Sequence, residues 1–211
     1  MSLKIILVGD KNVGKSCLIY QYTIKEFSPE YKSTTSNDRS EVEIKVNDLI
    51  IRATIWDTIG QERYISVNTL FMKNTKIALL VYDITNRQTF VNLENWNERL
   101  KNNCDCKVIG IIANKSDLYE DQVVSQEEGE NFAKSINGLF FETSAMDYES
   151  VSNAFQQLVE KYVNDGYEDI KIYEEKKNNE EKKNNEEKKN IENLVIQKDN
   201  ISKKKSKRKW C

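Results

Sequence analysis

The 211-residue chain contains no histidine. Ser–His and Cys–His nucleophilic catalysis are therefore excluded, and so is any zinc site with imidazole ligands. Cysteine is scarce. The four, Cys17, Cys104, Cys106 and Cys211, form neither a metal-ligand spacing nor a dense disulfide framework. Cys104 and Cys106 are one residue apart rather than the two of a redox CxxC, so they are expected as ordinary thiols, in keeping with a reducing cytosol. No apolar run approaches the length that spans a bilayer. The apolar part of the opening MSLKIILVGD is too short and too soon interrupted by charge for a signal peptide, and it reads as a first strand. Net charge is also lacking, at −2, so the total points to no nucleic acid. Its distribution does carry information, because the last residues are strongly basic.

What is present is an alternation of short β-branched runs with amphipathic stretches. LKIILV (3–8), IALLVYDI (77–84), KVIGIIANK (107–115) and LFFETSA (139–145) read as buried strands. EVEIKV (41–46) alternates with period two, and ND (47–48) turns it into LIIRATIW (49–56), a hairpin. Helices are expected from Lys15 to Ile24, after Thr85-Asn86 through Phe90, Leu93, Trp96 and Leu100, from Gln126 to Ile136, and from Val151 to Val163. This order predicts an α/β domain over 1–165. Its six-stranded sheet is mostly parallel, with one antiparallel edge strand and helices on both faces. After Asp165 the composition changes. EEKKNN repeats from Glu174 with almost no apolar residues, so 166–202 reads as a disordered linker, with a solvated helix of Glu–Lys pairs as the alternative. Residues 203–211 form a polybasic tail that ends in Cys211.

Three motifs carry chemistry. GDKNVGKS (9–16) ends the first strand and opens the first helix, the context a P-loop requires. Its backbone N–H groups and the helix N-terminus face phosphate oxygens. Lys15 is the point charge for the outer phosphates, and Ser16 offers a hydroxyl to Mg²⁺. Asn114-Lys115-x-Asp117 ends a buried strand. A carboxylate there accepts two hydrogen bonds from guanine that adenine cannot donate, and Lys115 can lay its stem along the base. Glu142-Thr143-Ser144-Ala145 ends another strand and meets the same base. In WDTIGQERY (56–64), Asp57 reaches the magnesium shell, Gly60 lets a backbone N–H approach the terminal phosphate, and Gln61 orients a water for in-line attack.

GDKNVGKS, WDTIGQERY, VYDIT, NKSD and ETSA, in this order and spacing, give residues 3–165 a resemblance to the Ras-superfamily small GTPases, most of all the Rab branch. No long insertion follows Asp117, unlike the Rho branch, and the basic tail is unlike Ran. The resemblance implies a three-layer P-loop NTPase G domain, with GTP and GDP as substrate and product and Mg²⁺ as cofactor. It implies Thr34 as the switch threonine on Mg²⁺ and the γ-phosphate, Phe27 packed against the guanine, and Ala145 offering its N–H to the guanine oxygen. The implied nucleotide-binding set is Asp10, Lys11, Asn12, Val13, Gly14, Lys15, Ser16 and Cys17 along the loop, then Phe27, Thr34 and Gly60. Asn114, Lys115, Asp117, Ser144 and Ala145 surround the base. The metal would be held by Ser16, Thr34 and Asp57, and Gln61, Lys15 and Thr34 would be catalytic. The implied partners are effectors, exchange factors and GTPase-activating proteins, and the implied place is the cytosolic face of an endomembrane.

The departures are specific. Thr35-Ser36-Asn37-Asp38-Arg39 replaces the usual Ile-Gly-Val-Asp-Phe, while Trp56 and Phe71 of the usual aromatic set remain. Ile59 stands where Ala is usual, Lys11 where Ser or Gly is usual, and Met146 where Lys is usual. Cys211 stands alone at the end, with no CaaX box, so the tail reads either as a prenylated anchor or as a plain basic tail. A GTP switch with slow hydrolysis is the leading expectation. Its rivals are an idle GTP-binding scaffold, blocked by Lys11 and Ile59, and a small-molecule P-loop kinase, for which no arginine-rich lid is visible.

Overall fold

A computed structural model describes residues 2–26, 38–47, 49–58 and 71–166. Six strands form one sheet in the order β2-β3-β1-β4-β5-β6. They are β1 (Leu3–Val8), β2 (Asp38–Val46), β3 (Leu49–Asp57), β4 (Ile77–Asp83), β5 (Val108–Asn114) and β6 (Leu139–Thr143). Every pairing is parallel except β2 with β3, which is antiparallel. The expected sheet, with one antiparallel edge strand, is the one observed.

The sequence pattern of each strand follows from its place. β4 lies in the interior of the sheet, and all of IALLVYD is buried, because helices cover both faces of a parallel strand. β2 lies at an edge, and its charged residues Arg39, Glu41, Glu43 and Lys45 are exposed while Ile44 and Val46 are buried. Such charges discourage pairing with another chain along the open edge. Asn47 turns β2 into β3 with φ 53°, a left-handed conformation that Asn tolerates well. Its expected turn partner, Asp48, lies outside the described residues.

The helices are α1 (Lys15–Ile24), α2 (Arg87–Val91), α3 (Leu93–Asn103), α4 (Gln126–Ser135) and α5 (Tyr148–Asn164). α1 and α5 pack on one face of the sheet, and α3 and α4 on the other. α5 buries Val151, Ala154, Phe155, Leu158, Val159 and Tyr162, a single stripe at helical spacing. It starts three residues before the expected Val151, because Asp147 caps it by accepting from the N–H groups of Glu149 and Ser150. The stripe lies close to the sheet at Gly110, where a Cβ would stand 2.8 Å from Leu158 Cδ1. α4 opens on a capping box made by Ser125 and Glu128.

Two expectations change. The single helix expected after Asn86 is two, α2 and α3, which meet at Asn92. The Asn92 side chain is drawn aside to Asp10, 82 residues away. Cys104 and Cys106, expected as ordinary thiols, are joined as a disulfide with their Cα atoms 5.5 Å apart. The chain leaves α3 at Cys104 in an extended conformation and doubles back into β5, which brings the two sulfurs together within bonding reach. These two sulfurs therefore give no support to a reducing compartment.

Candidate functional site

The carboxyl ends of β1, β4, β5 and β6 converge on the loop from Gly9 to Ser16 and on the turn that follows Asn114. This is where open α/β sheets bind ligands. Two glycines of the loop are required by geometry. Gly9 has φ 148°, and a Cβ there would overlap the carbonyl oxygen of Val81. Gly14 has φ 97°, and a Cβ would overlap Asn114 Nδ2. Asn12 takes φ 64°, which a β-branched residue could not adopt without strain. Lys11 and Asn12 are exposed and Val13 is buried. The loop thus presents backbone and one polar side, while its apolar residue faces the core.

Lys15 is only 5% exposed. Its Nζ donates to the carbonyls of Gly9 at 2.9 Å and Asp10 at 2.7 Å. Burial lowers its pKa to about 8, against the opposing pull of the Asp57 and Asp10 carboxylates. Ser16 Oγ donates to Asp57 Oδ2, so two of the residues expected at a metal are adjacent. Both supply hard oxygen donors, a set that fits Mg²⁺. No group of three or more acidic or cysteine residues suited to a metal occurs among the described residues. Cys17 is half-buried, and burial raises its thiol pKa. Thr58 Oγ1 donates to the Leu7 carbonyl at 2.6 Å and so ties the end of β3 to β1. Phe27, Thr34, Ile59, Gly60, Gln61 and Cys211 lie outside the described residues.

Asn114 holds the site together. Its Nδ2 donates to the Val13 carbonyl in the loop at 2.7 Å, and its Oδ1 accepts from Thr143 Oγ1 on β6 at 3.2 Å. One buried amide therefore joins the three loops expected around a nucleotide. Next to it, Lys115 adopts φ 66°, and its Nζ donates to Asp83 Oδ2 at 2.5 Å. Asp83 Oδ1 is in turn held by the backbone N–H of Thr85 at 2.9 Å and its hydroxyl at 2.7 Å. Asp117 is exposed, and its Oδ1 accepts from Ser144 Oγ. Ser144 Oγ also accepts the N–H of Met146 at 3.1 Å, which fixes the turn that carries buried Ala145. Met146 itself is 60% exposed.

One contributor went unassigned in the sequence reading, and a second acts differently from its assignment. Asp83, in VYDIT, fixes the Lys115 stem; the available signal is a lone acid at the end of an otherwise apolar strand, in register with Asn114. Asn114 was expected as part of a base-reading motif, whereas its side chain bridges protein to protein. No sequence pattern marks that bridge, because Val13 lies 101 residues away.

The family model described as the Ras family matches residues 4–164. The chain is 42% identical over 159 residues to the Ras-related protein RABA1f of Arabidopsis thaliana, covering 75% of this chain and 73% of that protein. It is 41% identical over 157 residues to the Ras-related protein Rab11B of Nicotiana tabacum, covering 74% of this chain and 72% of the relative. It is 40% identical over 157 residues to the Ras-related protein RIC2 of Oryza sativa subsp. japonica, with the same 74% and 72% coverage.

Proposed function

The chain belongs to the Ras family and is a Rab-like GTPase, and from that premise we propose that it is a switch cycling on the cytosolic face of an endomembrane to direct vesicle transport. The observation that best supports the nucleotide site is the Asn114 amide, which joins the phosphate loop to the loops expected to read the base. The small-molecule kinase reading ends with the family assignment. The idle-scaffold reading gains no support from relatives that are all Ras-related proteins.

In the proposed site, loop N–H groups from Lys11 to Ser16 receive the phosphates, and Lys15 moves its Nζ from the Gly9 and Asp10 carbonyls onto phosphate oxygens. Ser16 and Thr34 would hold Mg²⁺, with Asp57 behind, to neutralise charge between the outer phosphates. Asp117 accepts from guanine while Ser144 keeps its carboxylate oriented. Gln61 orients the attacking water. No covalent intermediate is needed, because positioning and electrostatics carry phosphoryl transfer. No helix among the described residues is long and apolar enough to cross a membrane. The proposed anchor is the basic tail acting with a prenyl group on Cys211. A Cys211→Ser form is expected in the soluble fraction, and retention of that form on membranes contradicts the anchor.

Lys11 decides how fast the switch runs. It is exposed at the mouth of the loop, where a small residue leaves room beside the γ-phosphate. A long flexible cation attracts ground and transition states alike and blocks an incoming activating arginine. Ile59 adds bulk near Gln61 in the sequence. Intrinsic hydrolysis is therefore expected at or below the order of 10⁻⁴ s⁻¹. The double change Lys11→Ser, Ile59→Ala is expected to raise it in single-turnover assays. A slower double variant identifies Lys11 as a built-in catalytic cation instead.

A further inference from the structure

Asp10 puts a carboxylate inside a loop that must receive a polyanion. Its backbone carbonyl faces Lys15 Nζ at 2.7 Å, while its side chain faces elsewhere. Oδ1 accepts from Trp96 Nε1 at 2.8 Å and Oδ2 from Asn92 Nδ2 at 2.6 Å. Both donors lie on the α2–α3 segment, four residues apart and so on one helical face. Trp96 is buried, its ring is covered by the Arg99 guanidinium at 4.7 Å, and its only polar atom points at Asp10. Asn92 is the residue at which α2 gives way to α3, and its own Oδ1 is fixed by Gln88 Nε2 at 2.9 Å. The helix is interrupted at the residue that reaches the loop.

We propose that Trp96 and Asn92 are positioning residues for nucleotide binding: they clamp the Asp10 carboxylate against the helix and so keep its charge from turning into the phosphate cradle. The proposal rests on reading residues 9–16 as the nucleotide loop. Both donors are neutral, so the clamp leaves the negative charge in place and fixes its direction. With one donor removed, one oxygen of a buried carboxylate lacks its partner, and the side chain is driven to seek another. The donors within its reach are those that serve the phosphates, the loop N–H groups and Lys15. A purely structural reading makes Asp10 no more than the acceptor that satisfies the buried Trp96 indole.

The two readings differ in how the residues couple. The test is the dissociation rate of fluorescent N-methylanthraniloyl-GDP from the full chain in Mg²⁺ buffer. It compares wild type, Trp96→Phe, Asn92→Ala, Asp10→Asn and the two doubles that combine a lost donor with Asp10→Asn. Each donor deletion is expected to speed release about tenfold, the equivalent of one hydrogen bond to a charged group. Adding Asp10→Asn is expected to slow release again, because the amide brings no charge to the cradle. Equal effects of Asp10→Asn in every background mean no coupling, and they overturn the clamp. If Trp96→Phe does not fold, half-buried Asn92→Ala decides alone on the same criterion. Wild type that fails to bind GDP overturns the reading of the loop itself. Wild type that binds GDP, with additive variants, overturns the clamp only.

Discussion

At the phosphate end of the site, Asp10, Val13, Lys15 and Ser16 are all buried, and the loop is fastened by Asn114 and by its own glycine geometry. At the base end, the 3₁₀ turn Ser116–Asp121 buries none of its residues, and Asp117 is held by one serine hydroxyl. The same sheet thus carries a grip built into the core beside a selector resting on the surface. Burial accounts for the difference. Phosphate charge is held by fixed dipoles, which work best when they cannot reorganise. Base choice needs only a few directional partners that the ligand completes. A change at the phosphate end should therefore damage fold and binding together, and a change at the base end should alter preference alone.

The largest break in that comparison is Gly14→Ala. The new Cβ meets Asn114 Nδ2 at a residue with φ 97°, so backbone strain adds to the loss of the bridging amide. GDP affinity is expected to fall at least about hundredfold and the unfolding midpoint of the ligand-free protein by several degrees. Calorimetry and thermal melts check both. A variant that loses affinity at an unchanged midpoint separates the loop from the core and breaks the comparison.

A smaller effect comes from Lys15. Burial holds its pKa at about 8 in the ligand-free protein, below the ordinary lysine value of 10.5. Between these values the unfolded chain binds more protons than the folded one, so the ligand-free protein gains stability as pH rises through that window. Nucleotide phosphates favour the charged amine, so GDP affinity moves the opposite way. It is expected to fall up to about tenfold per pH unit above the free-protein pKa, with proton uptake on binding. Titrations in buffers of different ionisation enthalpy measure that uptake. Affinity that is flat from neutral to alkaline pH removes Lys15 as the buried charge of the grip.

The same contrast governs what the sequence made legible. The strand segments, the buried runs of β1, β4 and β5, and the α5 stripe followed from period and composition, because burial on one or two faces writes itself into neighbouring residues. The loop glycines and the Asn114-Lys115-x-Asp117 run were visible as motifs. The tethers behind them were not. Asn92 read as one more helical residue and Trp96 as core filler at helical spacing, since their partner Asp10 is 82 and 86 residues away. Asp83 likewise read as one residue of a strand, although it fixes Lys115. The Cys104–Cys106 pair depended on the path from α3 into β5, which spacing alone does not reveal.

The proposed occupant of this site is a guanine nucleotide, which Asp117 selects from an exposed turn without supporting the fold. The most direct test is a binding panel of GDP, ADP and xanthosine diphosphate on wild type and Asp117→Asn, with the ligand-free unfolding midpoint of each. Wild type is expected to prefer GDP over ADP by far more than tenfold, since adenine cannot donate to Asp117 the two hydrogen bonds that guanine supplies. Asp117→Asn is expected to turn preference toward xanthosine diphosphate, with stability unchanged to within about 0.5 kcal/mol, as for other exposed positions. Equal wild-type affinity for GDP and ADP, or a variant that still prefers GDP, contradicts the claim.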